Sequence, residues 1–342
     1  MKLFEPIQLG KLKLKNRIVM APMCMYSVVK RDGELTPFHN VHYASRAIGG
    51  VGLIFLEATA VSEEGRITDQ DLGLWNNDQM LKIKSLANTI HNLGSQVGIQ
   101  LSHAGRKAED ARNLAAPSAI AYNDSYQTPL ELSSKGIEKV IADFKASAQR
   151  AAEAGMDVIQ IHAAHGYLIN QFLSPLTNLR EDQYGSQSLE NRFRLLKEII
   201  LEVQKVFKGS IWVRFSATDY DEESTTIKEY DKMNQWLENL SVDVVDVSTG
   251  GLLPKRPTRI YPGYQTQYAE HFKINSSLKI STVGKLGDPN LANYILETEQ
   301  ADLIALGRPL LRNPNWPMMA ARELGYTEFE SYNPSYGRGF NE

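Results

Sequence analysis

Eight short runs rich in β-branched residues recur along the chain: RIVMAPM (17–23), VGLIFLEA (51–58), QVGIQLSH (96–103), MDVIQIHA (156–163), IWVRFSA (211–217), VDVVDVST (242–249), LKISTVG (278–284) and ADLIALGR (301–308). Each is nearly continuous in apolar residues, as strands buried on both faces must be, and that pattern favours a parallel sheet. Helical patterns with recognisable ends lie between them: Thr36-Pro37 before FHNVHYASRAI, Asn77 before DQMLKIKSLANTIHNL with Gly94 after it, and LENRFRLLKEIILEVQKVF. Strand precedes helix eight times, with no sequence-level repeat, low-complexity segment or Pro/Gly/Ser linker to mark a boundary. The order predicts one α/β domain over residues 1–342, a closed (β/α)8 TIM barrel. A doubly wound sheet would carry a Gly-x-Gly-x-x-Gly turn after its first strand, where this chain has APMCMYS. IQLGKLKL (7–14) reads as a β-hairpin ahead of the barrel.

Composition narrows the partners. With 342 residues, 42% hydrophobic and 23% charged, the chain can bury a full core. A net charge of −3 supplies no basic field for a nucleic acid or an anionic membrane, which leaves small molecules as the expected ligands. The single cysteine, Cys24, excludes an internal disulfide and a cysteine-rich metal or iron–sulfur centre. MKLFEPIQLGKLKLKNRIVMAPM is broken by charges every few residues, so neither a secretory segment nor a membrane span is expected there, and the reading is cytoplasmic.

In such barrels chemistry sits where strands end, because the loops that follow them form one face. Cys24 and Tyr26 follow the first strand, Gln100 and His103 end the third, His162, His165 and Tyr167 follow the fourth, and Arg214 interrupts the fifth. Ser248 and Gly250 close the sixth, Gly284 the seventh and Gly307-Arg308 the eighth. Arg214, in an apolar run, needs an anion: an acidic side chain or a ligand. Gln100 needs both a donor and an acceptor, from neighbouring backbone or from a ligand. One planar cofactor with an imide edge and an anionic reduced form could satisfy both. Arg308 before Pro309, with the glycine amide of STVGK, suits a phosphate at the end of strands seven and eight.

The histidine pair admits three readings. H-A-A-H after a strand lacks the spacing of a helical zinc pair and has no nearby carboxylate, so no metal is expected. Two satisfied core histidines are the plain alternative. The third is an anion clamp, in which two N–H groups hold a substrate oxygen that gains charge while Tyr167 gives up a proton.

Together APMCMYS, TPFHNVHYASRAIGG, QLSHAGRK, IHAAHGYLINQFLSP, ENRFR, ALGRPLL and YGRGF resemble the Old Yellow Enzyme family of FMN-dependent ene reductases, in particular its compact bacterial NADPH dehydrogenase class, over nearly the whole chain. The resemblance implies that FMN is reduced by NADPH, with NADH as a possible donor, and then passes hydride to electron-poor alkenes. It implies that Ala58, Gln100 and Arg214 hold the flavin ring, with Pro22, Met23 and Cys24 along its edge. Gly284, Gly307 and Arg308 would take the phosphate. His162 and His165 would hold the substrate, Tyr167 would donate the proton, and Tyr26 would line the pocket. It further implies a homotetramer built as a dimer of dimers, with Arg338 reaching into a neighbouring subunit. Lys107, in the matching GRK segment, receives no role. Two departures stand out: YGSQSLENR is one residue longer than the family's usual YGGSLENR, and Ala21-Pro22 replaces a frequent serine or threonine. A barrel lyase working through a Schiff base would need a strand lysine, for which only Lys279 is available. A flavin-storing or redox-sensing protein would bind FMN without passing electrons to an enone.

Overall fold

The computed structural model describes residues 1–110 and 114–329. All eight apolar runs form strands: β1 Ile18–Met20, β2 Leu53–Ala60, β3 Gln96–Ser102, β4 Val158–Ala163, β5 Ser210–Ser216, β6 Val244–Ser248, β7 Lys279–Thr282 and β8 Leu303–Leu306. Each pairs in parallel with the next in chain order, and β1 pairs with both β2 and β8, which closes the cylinder. The expected (β/α)8 barrel is therefore the observed fold. The longer helices around it are α1 Pro37–Ile48, α2 Asn77–Asn92, α3 Ser134–Glu153, α4 Leu189–Val206, α5 Ile227–Asn239, α6 Thr266–Asn275, α7 Pro289–Glu297 and α8 Trp316–Glu323, and a shorter one, Leu168–Leu173, follows Tyr167.

Local chemistry sets the helix ends. The cap of α2 is Asn76, one residue before the predicted Asn77: its side chain accepts from Gln79 N while the Gln79 side chain reaches back to Asn76 N. Only that register closes the reciprocal box. Ser188 caps α4 through Asn191 N. The longer loop before it is pinned by Gln187 donating to Arg180 O and by Asn178 donating to Tyr184 O. Along α4 the buried positions Phe193, Leu196, Ile200 and Val203 recur at helical spacing and face the barrel wall.

The predicted hairpin is present, Ile7–Leu9 paired antiparallel with Leu12–Leu14. It forms the floor of the barrel: Ile7, Leu9 and Leu14 pack with inward residues of the strands, among them Leu53, Phe55, Val158, Trp212 and Val244. Gly10 at its tip has φ +55, and a Cβ there would lie 2.4 Å from Asp243 Oδ1. Backbone conformation and close approach thus both demand glycine. With the floor closed by apolar packing, open space is left at the opposite end, where the strands terminate.

Candidate active site at the barrel mouth

A cavity of 440 Å³ opens beside β5 to β8, lined by Arg214 at one side and by Gly284, Gly307, Arg308 and Arg312 at the other. Gly307 precedes a five-residue turn of helix, Arg308–Arg312, that carries Pro309 near its start. Among the described residues, the backbone N–H groups of Gly284, Gly307 and Arg308 have no protein acceptor. Free amides beside two arginines make a concave site for an anionic group. Met23 approaches Gly307, its Sδ 3.4 Å from where a Cβ would stand, so the segment after β1 borders the same region.

Of the partners left open by the sequence, Arg214 has the acidic side chain, while Gln100 has a neighbouring side chain where backbone or a ligand was expected. Register sets Arg214 opposite Asp246 on β6, and its Nε lies 3.1 Å from Asp246 Oδ2. Gln100 faces Gln160 across β3 and β4 and donates to its Oε1 at 2.6 Å; Gln160 donates in turn to Asp246, which also accepts from Ser281. Both side chains have protein partners because inward positions of adjacent strands fall at one level of the cylinder. Room for a ligand remains. Arg214 still lines the cavity, and its Nε lacks hydrogen-bond alignment despite the short ion-pair distance. The free amides, the two arginines at one end and the guanidinium at the other together fit a phosphate-bearing, electron-accepting ring compound such as FMN. Ala58 stands opposite Gln100, where a bulge between Leu56 and Ala58 shifts the register.

The next loop gathers the other residues. His162 and His165 pack edge to face with centroids 5.1 Å apart, and Tyr167 packs on His162 at 4.9 Å. Ala164 N donates to His162 Nδ1, which leaves the proton on Nε2. That Nε2 faces His165 Nδ1 at 3.4 Å, while His165 Nε2 contacts Ser248 Oγ at 2.7 Å. The rings thus form a chain, His162 to His165 to Ser248, rather than two donors converging on one open point. Backbone geometry is the reason: His165 has φ +59 and is tied through its N–H to Ser216. Burial, and then the charge of Arg214, hold both imidazoles well below their ordinary pKa, so they are neutral at physiological pH. Burial pushes the Tyr167 phenol well above its usual range, which keeps the proton in place.

Cys24 packs beside Tyr167 against the small apolar cluster of Ile67, Ala104, Ala108 and Leu114. Burial, with the nearby carboxylates Asp71 and Glu57, raises its pKa, so it remains a thiol. Tyr26 is hydrogen-bonded to it and is 43% exposed, at the rim. His103 is not brought into the group: it is buried near Gly65, and its Nδ1 accepts from Gly105 N. Arg338 lies outside the described residues. Sequence reasoning missed Glu57, which is buried and holds Met25 N, the Tyr43 hydroxyl and His39 behind the Cys24 turn. A lone acid inside VGLIFLEA was the available signal. Among the described residues no group of three or more His, Cys, Asp or Glu could hold a metal ion, and no helix is long and apolar enough to cross a membrane.

A closed barrel with an anion cradle after its last strands, and an ionisable cluster after its fourth, defines a cofactor-using barrel enzyme. The model of the NADH:flavin oxidoreductase / NADH oxidase family matches residues 2–326. The NADPH dehydrogenase of Bacillus subtilis (strain 168) is 48% identical over 323 residues, covering 94% of this chain and 95% of that relative. Among solved structures, morphinone reductase superposes with a TM-score of 0.81 at 30% identity, over 97% of this chain and 92% of the other. A 2-naphthoyl-CoA reductase complex superposes with a TM-score of 0.89 at 24% identity, over 94% of this chain; the chain spans 52% of that longer protein, and the likeness bears on the fold alone. The chain belongs to the NADH:flavin oxidoreductase / NADH oxidase family, the Old Yellow Enzyme family whose motifs it carries. It is an oxidoreductase that uses FMN and NAD(P)H.

Proposed function

We propose that the protein is an ene reductase acting on alkenes conjugated to a carbonyl or nitro group, with Tyr167 as proton donor. The neutral histidine pair packed against a protonated tyrosine at the barrel mouth carries this reading. FMN, when bound, supplies the hydride that it has taken from NAD(P)H to the β-carbon of the alkene. His162 Nε2–H turns from its 3.4 Å contact with His165 to the entering substrate oxygen. His165 shares that oxygen by giving up its 2.7 Å contact with Ser248 Oγ and presenting its Nε2–H, and the two donors stabilise the charge that develops there. Neutral imidazoles suit the task because they donate without protonating the oxygen outright. Tyr167 delivers its proton to the α-carbon.

Gly284, Gly307 and Arg308 would hold the FMN phosphate, with Ala58, Gln100 and Arg214 about the ring and Pro22, Met23 and Cys24 along its edge. Arg214 would keep Asp246 as a partner and offer its guanidinium to the electron-rich edge of the ring. Tyr26 at the rim sorts substrates by shape. NADPH is the proposed donor, the cytoplasm the proposed compartment and a dimer of dimers the proposed assembly, with Arg338 as the residue offered to a neighbour.

The test separates the two half-reactions. Tyr167→Phe slows anaerobic reoxidation by 2-cyclohexenone by roughly 10²- to 10⁴-fold, the usual worth of general acid help, and leaves reduction by NADPH near normal. Equal loss in both steps removes Tyr167 from the role. A protein that turns yellow with FMN yet is never reoxidised by an enone is a flavin-binding protein instead.

A further inference from the structure

Lys107 follows β3 in a short turn, Gly105–Lys107, and its half-buried ammonium reaches the loops after β4 and β6. Nζ donates to His165 O at 2.9 Å and Gly251 O at 3.1 Å, and lies 5.0 Å from the centre of the Tyr167 ring and 4.6 Å from that of Tyr122. Neighbouring Arg106 is also buried and bonds only to carbonyls, those of Ile120, Ala121 and Leu252. Among the described residues neither cation is ion-paired with a carboxylate. A cation that is anchored but not neutralised acts on whatever charge develops beside it.

We propose that Lys107 is a positioning residue for protonation: clamped on the His165 and Gly251 carbonyls, its ammonium fixes the loop that carries Tyr167 and stabilises the phenolate left when Tyr167 gives up its proton. The inference rests on Tyr167 being the proton donor. In that step the phenolic O–H bond breaks and a C–H bond forms at the α-carbon. Negative charge passes from the substrate oxygen to the phenolate, which water then reprotonates. The other ionisable groups facing Tyr167 are Cys24, Tyr26, Asp71, Tyr126 and neutral His162, of which only Asp71 carries charge near neutrality, and it opposes a phenolate. Arg106, Glu109, Tyr122 and the neutral His162 and His165 face Lys107. Burial and the charge of Arg106 lower Lys107 to about 8, so its ammonium is lost as pH rises through that value.

Pre-reduced, FMN-loaded enzyme is mixed anaerobically with 2-cyclohexenone across the pH range. The wild-type rate constant falls on the alkaline side of about 8. Lys107→Met is slower at neutral pH by about 5- to 30-fold, the span of a partly desolvated cation against an aromatic ring, and loses the alkaline limb. Lys107→Arg restores the rate and moves the limb upward. A second readout needs no turnover: the ¹³Cζ resonance of Tyr167, assigned by its loss in Tyr167→Phe, shifts as the wild type passes through pH about 8 and stays fixed in Lys107→Met. An unchanged limb in Lys107→Met, or a Tyr167 resonance indifferent to pH near 8 in the wild type, overturns the role of Lys107 even while Tyr167→Phe remains slow. A fast Tyr167→Phe overturns the proton donor itself.

Discussion

The two ends of the barrel treat charge in opposite ways. At the floor an aspartate stands immediately before each of three strands: Asp157 before β4, Asp243 before β6 and Asp302 before β8. Each donates its own N–H to a carbonyl of the preceding strand, on Val97, Ile211 and Ile280 respectively. Its carboxylate accepts the N–H of that same residue. The charges are then met close by: Asp157 by His91, Asp302 by Lys273, and Asp243 by the Ser210 hydroxyl. These are staples between neighbouring strands, and nothing in them awaits a ligand. At the mouth Arg106 and Lys107 bond to carbonyls alone, Arg308 stands beside unpaired amides, and the histidines are held neutral. Closed polar accounts belong to stability, and open ones to binding and chemistry.

Mutations at the two ends therefore separate stability from activity. The largest effect on folding is expected for Asp302→Ala, which frees Ile280 N and leaves Lys273 without its carboxylate. Unfolding free energy in urea falls by about 3 kcal/mol, while the rate per folded enzyme is unchanged. Loss of activity in the folded fraction would erase the distinction. At the other end, Arg308→Ala weakens FMN binding to the apoprotein by about 10- to 100-fold, read from quenching of flavin fluorescence, without lowering the melting temperature of the apoprotein. An unchanged affinity would place the phosphate elsewhere.

The smallest effect concerns His91, whose bond to Asp157 raises its pKa above the ordinary value. A raised folded-state pKa gives stability that is fully present below about 6.5, the unfolded value, and is lost as pH rises through the folded one. His91→Gln therefore narrows the difference in stability between mildly acidic and mildly alkaline solution by a few tenths of a kcal/mol, reduced by solvent because the pair is partly exposed. A difference that stays the same in the variant would remove the floor's pH dependence from this pair.

The strands were legible in the sequence because a parallel barrel buries both faces of each, so every one is a continuous apolar run. Strand ends were equally legible, and the polar residues that follow them do border the mouth. His103 shows the limit: it ends β3 like the others, yet its ring turns toward Gly65 and away from the group around Tyr167. Position on a strand gives the end of the barrel, while the direction of a side chain depends on neighbours far away in the chain.

By itself the sequence determined the eightfold alternation, the hairpin, the end of the barrel that carries the chemistry and, through its motifs, the flavin family. Tertiary structure alone decided who partners whom. Asp246 was visible in VDVVDVST and Arg214 in IWVRFSA, but their pairing depends on the register between β5 and β6, which barrel closure fixes and no local pattern encodes. The link between Gln100 and Gln160, and the contact of Lys107 with Tyr167, have the same origin: residues 60 apart in sequence meet because the cylinder brings successive strand ends to one rim.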